Sequence, residues 1–157
     1  MGAGRNTFPG FDPRKAHRVK GAERLTPPHP GLYAIFVDRY SSLPDPYSSE
    51  LRERGTTLIY VGKAGLSLRG RLVEQDLNHE GPSTFFRAIG SILGYRPPHG
   101  SARTPAAAKN YGFSPDDELL IKNWIHEHLL VSWVRLDTGE PEILEPGIIR
   151  VLCPLLN

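Results

Sequence analysis

Apolar and polar positions switch between strand and helix periods along the chain, and each switch marks an element. Gly31–Val37 (GLYAIFV) is an unbroken apolar run bounded by Pro30 and Asp38, short enough to be a buried strand. Thr56–Val61 is a β-branched and aromatic run ending at Gly62, and predicts a second strand. Lys63-Ala64-Gly65 then turns, and Ser67 caps a helix running to about Asn78. That helix turns Leu68, Leu72, Val73 and Leu77 toward the sheet and Arg69, Glu74 and Asp76 toward solvent. Gly81-Pro82 ends the segment, and Ser83 caps a helix over Thr84–Leu93 with Phe85, Ile89 and Leu93 at helical spacing.

The pattern weakens over Tyr95–Gly112, where Pro97-Pro98, Gly100 and an Ala-rich patch predict a flexible basic loop. Ser114-Pro115-Asp116-Asp117 starts a helix with a cap, a proline at the first helical position and acids in the first turn. Leu119, Leu120, Ile121, Trp124 and Ile125 form its core face, and it ends near His128. Leu130–Leu136 alternates as a third strand, Gly139–Leu152 is the last helix, and Pro154-Leu155-Leu156-Asn157 closes the chain. Two stretches lack a period. Met1–Pro30 reads as a basic extension, irregular except for a helical turn near Arg14–Lys20. Asp38–Gly55 reads as a long inserted connection with a brief helix at Ser49–Arg54, and connections of that length are more often functional than idle. The expectation is an α/β domain over 31–157 on a three-stranded sheet.

Composition narrows the class. A chain of 157 residues is one domain's worth. The lone cysteine, Cys153, has no internal partner for a disulfide, and its apolar neighbours suggest a small buried hydrophobe. With no secretory leader and no membrane-spanning run, the expected compartment is a reducing cytoplasm. Net charge is only +2, too small to imply nucleic acid by itself. Its distribution is more informative. Residues 81–115 carry Arg87, Arg96, Arg103 and Lys109 without an acid, whereas 116–145 hold eight acids against Lys122 and Arg135. That asymmetry fits a phosphate-facing side, Arg87 included, beside a carboxylate-bearing one, and equally an unevenly charged solvated surface.

The strand, glycine turn and basic helix start place Tyr60, Lys63 and Arg71 around one small space suited to a phosphate. A junction of this kind is common in α/β proteins and identifies nothing by itself. Arg71 offers a planar fork to nonbridging phosphate oxygens, which lysine matches poorly. His126 and His128 lie two apart on a helix and point in different directions, as capping or solvent-facing histidines do.

Gly31-Leu32-Tyr33 and Tyr60-Val61-Gly62 together resemble the paired signatures of the GIY-YIG nuclease family. Arg71-Leu72 falls where that family has its helix arginine. Glu145-Pro146-Gly147-Ile148-Ile149 through Pro154-Leu155-Leu156-Asn157 is similar to its closing pattern. The resemblance covers most of 31–157 and implies a small, mainly antiparallel sheet flanked by helices. It implies a metal-dependent endonuclease hydrolysing phosphodiester bonds in DNA, with Tyr33, Tyr60, Lys63, Arg71, Glu145 and Asn157 in the catalytic set. Lys63, Arg71 and Arg87 would hold substrate, and Glu145 would bind one divalent cation, Mg²⁺ or Mn²⁺.

Those residue types suit the reaction, which needs an activated water, charge stabilisation on the phosphoryl oxygens and help for the departing alkoxide. Mg²⁺ takes one or two carboxylates plus water and substrate oxygens. A phenol titrating near pH about 10 is a poor base unless Lys63, Arg71 or the cation stabilises its phenolate. Tyr60 is the nearer to Lys63, and Tyr33 can share the role. Asn157 would hold the site by hydrogen bonds. Leu32 and Val61 stand where the family has isoleucine, 38–55 lengthens the gap between the motifs, and Pro146 directly follows Glu145. A proline there would start a helix, leaving Glu145 near its N-terminus, with Glu142 the alternative ligand. An inactive nucleic-acid-binding module on the same scaffold is the alternative function. RNA as substrate and a homodimer on duplex DNA are both left open, because nothing identifies a reader of the 2′-hydroxyl.

Overall fold

β2 (Gly31–Val37) is buried at every position, because both faces of the sheet it crosses are covered, and only a continuous apolar run satisfies that environment. The computed structural model describes residues 8–98 and 112–157. Before β2 come β1 (His17–Arg18) and α1 (Val19–Leu25). After it come α2 (Tyr47–Arg54), β3 (Leu58–Ala64), a π-helix (Arg69–Leu77), α3 (Thr84–Ile92), α4 (Pro115–His128), β4 (Leu129–Arg135) and α5 (Glu140–Leu152). The strands form one sheet in the order β1-β4-β2-β3, antiparallel at every pairing.

The sheet therefore has four strands, not the expected three. The additional strand, β1, falls within Arg14–Lys20, where a helical turn was expected, and two residues are too few to show a period. Its His17 pairs with Val131, and the adjoining α1 buries Val19 and Ala22. The 95–112 loop falls largely on residues outside those described. Among the described residues, no helix is long and apolar enough to cross a membrane.

Two apolar layers flank the sheet. On one face Tyr33, Ile35, Val37 and Ile59 pack with Leu72 and Leu77 of the π-helix, Phe85 and Ile89 of α3, and Ile121 and Ile125 of α4. On the other, Leu32, Ala34, Phe36 and Val61 pack with Phe11 and with Ile148 of α5. The α4 start follows its sequence signature, with Ser114 Oγ accepting from the Asp117 N–H. Leu119 and Leu120, expected on its core face, are exposed instead. Ile121 and Ile125 are buried and Trp124 is packed half-buried against them and their neighbours, so the buried stripe is narrower than the apolar pattern.

Candidate active site

Tyr33 on β2 stands opposite Gly62 on β3, and its phenol ring lies against the Gly62 α-carbon. A methyl group there would overlap the ring and its oxygen, which is why the position is glycine. Further along, between Ile35 and Phe36, the pairing slips: Ile35 faces Tyr60 and Phe36 faces Leu58. Ile59 is thus an extra residue, a bulge of the kind that re-aims a neighbouring side chain. Tyr60 is only partly buried, with its ring 6.3 Å from that of Tyr33 and 5.1 Å from that of Phe85.

The helix after β3 starts as the sequence predicts, with Ser67 Oγ accepting from the Gly70 N–H at 3.1 Å. It then widens into a π-helix, in which the Asn78 N–H reaches back five residues to the Val73 carbonyl. Asp76, one turn on from Leu72 and on the face shared with Leu68 and Val73, is fully buried, correcting the expectation that it faces solvent. There Tyr33 Oη donates to Asp76 Oδ2, and Ser83 Oγ donates to Asp76 Oδ1 at 2.7 Å. Arg71, one turn earlier, donates from Nη1 to Gln75 Oε1 at 2.8 Å. Its guanidinium also lies beside the phenols of Tyr33 and Tyr60.

The electrostatics follow from that enclosure. Burial, reinforced by the Asp76 charge, pushes the Tyr33 phenol well above its ordinary range, with Arg71 opposing weakly. Tyr60 is raised too, by burial first and then by Asp76; Arg71 pulls it back and Glu145 adds to the rise. Burial also raises the Asp76 carboxyl despite its hydrogen bonds from Tyr33 and Ser83.

Glu145 arrives from the opposite face of the sheet. α5 begins at Glu140 with Pro141 in its first turn, and continues through Pro146 to Leu152. Glu145 is therefore mid-helix, and Pro146 does not start the helix as its position suggested. Glu145 Oε1 is 3.6 Å from Lys63 Nζ, with side-chain exposures of 17% and 46% respectively. The lysine can leave while the carboxylate stays. Glu142, a turn earlier, puts Oε1 2.6 Å from where a Gly65 Cβ would stand, so it sits on the turn after β3.

Asn157 binds the backbone of the YVG motif. Its Oδ1 accepts from the Val61 N–H at 2.7 Å and its Nδ2 donates to the Val61 carbonyl at 2.9 Å, while the Leu156 N–H bonds to the Ile59 carbonyl. Those bonds close the free edge of β3. Arg87, on α3, bears with its charge on His79. His126 contacts Asn78 and Glu23, and His128 contacts Asp38, both in structural roles. Cys153 caps α5 and is exposed, not the buried hydrophobe its neighbours suggested.

Among the described residues, no group of three or more His, Cys, Asp or Glu side chains is placed to hold a metal. Glu145 supplies a single carboxylate. A hard cation that keeps its waters and takes oxygens from a bound phosphate is compatible with one protein carboxylate, whereas a cage built by protein alone is not.

At the edge of a small antiparallel sheet, Glu145 thus pairs with Lys63, and Arg71 lies beside the phenols of Tyr33 and Tyr60. A family model for the GIY-YIG catalytic domain matches residues 31–157, and the chain belongs to the GIY-YIG family of nucleases. That family acts on nucleic acid and is generally dependent on divalent metal. No curated protein and no solved structure matches the chain.

Proposed function

We propose that the protein is a metal-dependent endonuclease that hydrolyses phosphodiester bonds in DNA. The observation that carries this reading is the convergence of Tyr60, Lys63, Arg71 and Glu145 at the edge of β3, from two strand positions and two helices on opposite faces of the sheet. In it Lys63 and Arg71 take the scissile phosphate, Arg71 through its fork and Lys63 as a point charge released from Glu145. Tyr60, the accessible phenol, accepts the proton of the attacking water at Oη once ionised. Burial, Asp76 and Glu145 disfavour its phenolate and Arg71 favours it. Tyr33 does not compete for that proton, because it is enclosed and already donates to Asp76. Asn157 holds Val61, and with it the strand carrying Tyr60 and Lys63. Glu145 would hold one Mg²⁺ or Mn²⁺, which when bound would stabilise charge on the phosphoryl oxygens and offset the carboxylate acting on Tyr60. Arg87 serves the substrate further from the reacting phosphate. The exposed lone thiol fits a reducing cytoplasm.

The second reading, a DNA-binding module without turnover, has its own support: the ammonium of Lys63 already neutralises the one carboxylate of the site. Single-stranded, duplex and branched DNA incubated with Mg²⁺, Mn²⁺ or EDTA, beside a binding titration, separates the two. Cutting that EDTA abolishes supports the nuclease. Binding without cutting under every metal supports the module.

A further inference from the structure

The least expected feature of the molecule is a carboxylate with no exposed surface. Aspartate is almost never fully buried unless paired, and burying its charge costs several kcal/mol in general unless hydrogen bonds compensate. Asp76 lies in a π-helix, a geometry that recurs at functional sites. Both of its oxygens accept hydrogen bonds, one from the phenol of Tyr33 and one from Ser83. Ser83 is fixed in turn, since its hydroxyl also accepts the Phe86 N–H at 3.0 Å as the cap of α3.

A phenol has one proton. Tyr33 commits it to Asp76, so its oxygen offers only lone pairs in other directions. The group beside that oxygen is the Arg71 guanidinium, a pure donor. Gln75 accepts from the guanidinium at Nη1, so Arg71 is steadied by the Tyr33 oxygen and by Gln75, with the Tyr60 phenol also beside it.

We propose that Asp76 is a positioning residue of the active site, acting through Tyr33 to orient Arg71 toward the phosphate. Asp76 touches neither substrate nor reacting atoms. Its carboxylate fixes the direction of the Tyr33 proton, and the direction of that proton decides whether Tyr33 attracts or repels Arg71. Without the carboxylate, the Tyr33 proton has no fixed acceptor, the lone pairs facing the guanidinium lose their fixed direction, and Arg71 loses its own. The charged and titratable groups facing this unit are Tyr33 from β2, Tyr60 from β3, and Arg71 from the π-helix itself. The kinetic part of this inference rests on the nuclease reading; the structural part does not.

The test uses the full-length protein with Asp76→Asn, close to isosteric, and Tyr33→Phe, which removes only the hydroxyl. Each single variant is expected to lower kcat about 10- to 100-fold, the scale of a misplaced catalytic group, with KM for DNA within about twofold. The double variant is expected to be no slower than the slower single one, because both changes break one chain of contacts. Independently of cleavage, the Arg71 Nε–H resonance, assigned with Arg71→Lys, should move toward that of a free arginine in both variants but not in Asp45→Asn on the surface. If wild type cuts no DNA and the Arg71 signal still moves, the nuclease reading falls and the positioning role stands. If wild type cuts and Asp76→Asn leaves both kcat and the Arg71 signal unchanged, the positioning role is overturned. Should Asp76→Asn fail to fold, Tyr33→Phe decides by the same two readouts.

Discussion

Lys63 Nζ and Glu145 Oε1 face each other at 3.6 Å, one from the end of β3 and the other from mid-α5. In the proposed function a DNA phosphate would compete for the first member of that pair and a cation for the second, so that substrate and metal would each release the other's partner. Lys63→Ala should therefore weaken DNA binding and reduce the slope of log affinity against log salt by about one, while raising divalent-cation affinity in the absence of DNA. Fluorescence anisotropy across a salt series and calorimetric metal titration measure the two effects. Unchanged values in both would remove the pair from the site.

Asn157 acts on β3 through the backbone. Asn157→Ala leaves the Val61 N–H and carbonyl without their two side-chain partners, which should cost about 1–2 kcal/mol of stability at about 1 kcal/mol per bond. Urea unfolding gives that number directly. A value near zero would mean that water replaces the amide fully at the sheet edge.

Gly62→Ala tests the enclosure of Tyr33. The added methyl overlaps the phenol ring and oxygen, so the ring must leave Asp76 or the strands must part. The expected loss is about 1–3 kcal/mol or more, the range for overpacked cores. A variant with the wild-type urea midpoint would show that the ring has room to move.

The pH dependence of stability gives a separate check on Asp76. Burial raises its folded-state pKa above the unfolded value, so the folded protein holds this proton more tightly than the unfolded chain does. That contribution to stability is full below the unfolded pKa and is lost as pH rises through the folded one. Asp76→Asn lacks it. Urea midpoints of wild type and Asp76→Asn compared at acid and neutral pH should therefore shift in favour of the variant toward neutrality. A difference independent of pH would show that the carboxyl is not raised in the folded protein.

The parts legible in the sequence were those set by local chemistry. β2 follows its apolar run, Ser67, Ser83 and Ser114 cap where their hydroxyls suggest, and the GIY-YIG resemblance carried the family; β3 starts at Leu58 and runs on through Lys63 and Ala64, which were expected to turn. What escaped depends on geometry that a residue pattern does not encode. Asp76 was expected outward because it is charged, and the phenol of Tyr33 and hydroxyl of Ser83 that let it stay inside come from other parts of the chain. β1 is two residues long, and only its partner β4 makes it a strand. Pro146 looked like a helix start because its tolerance inside α5 depends on the neighbouring structure. Cys153 looked buried from apolar neighbours, yet it follows the last turn of α5 in a left-handed conformation that leaves it exposed.

Nicking of supercoiled plasmid by wild type and Glu145→Gln, in Mn²⁺ and with duplex binding measured on the same preparations, tests the central claim most directly. The expected result is metal-dependent nicking by wild type and a loss of at least about 100-fold in Glu145→Gln, with DNA affinity retained. Equal nicking by the two proteins would contradict the account, because the carboxylate meeting Lys63 at the strand edge would then have no part in breaking the phosphodiester.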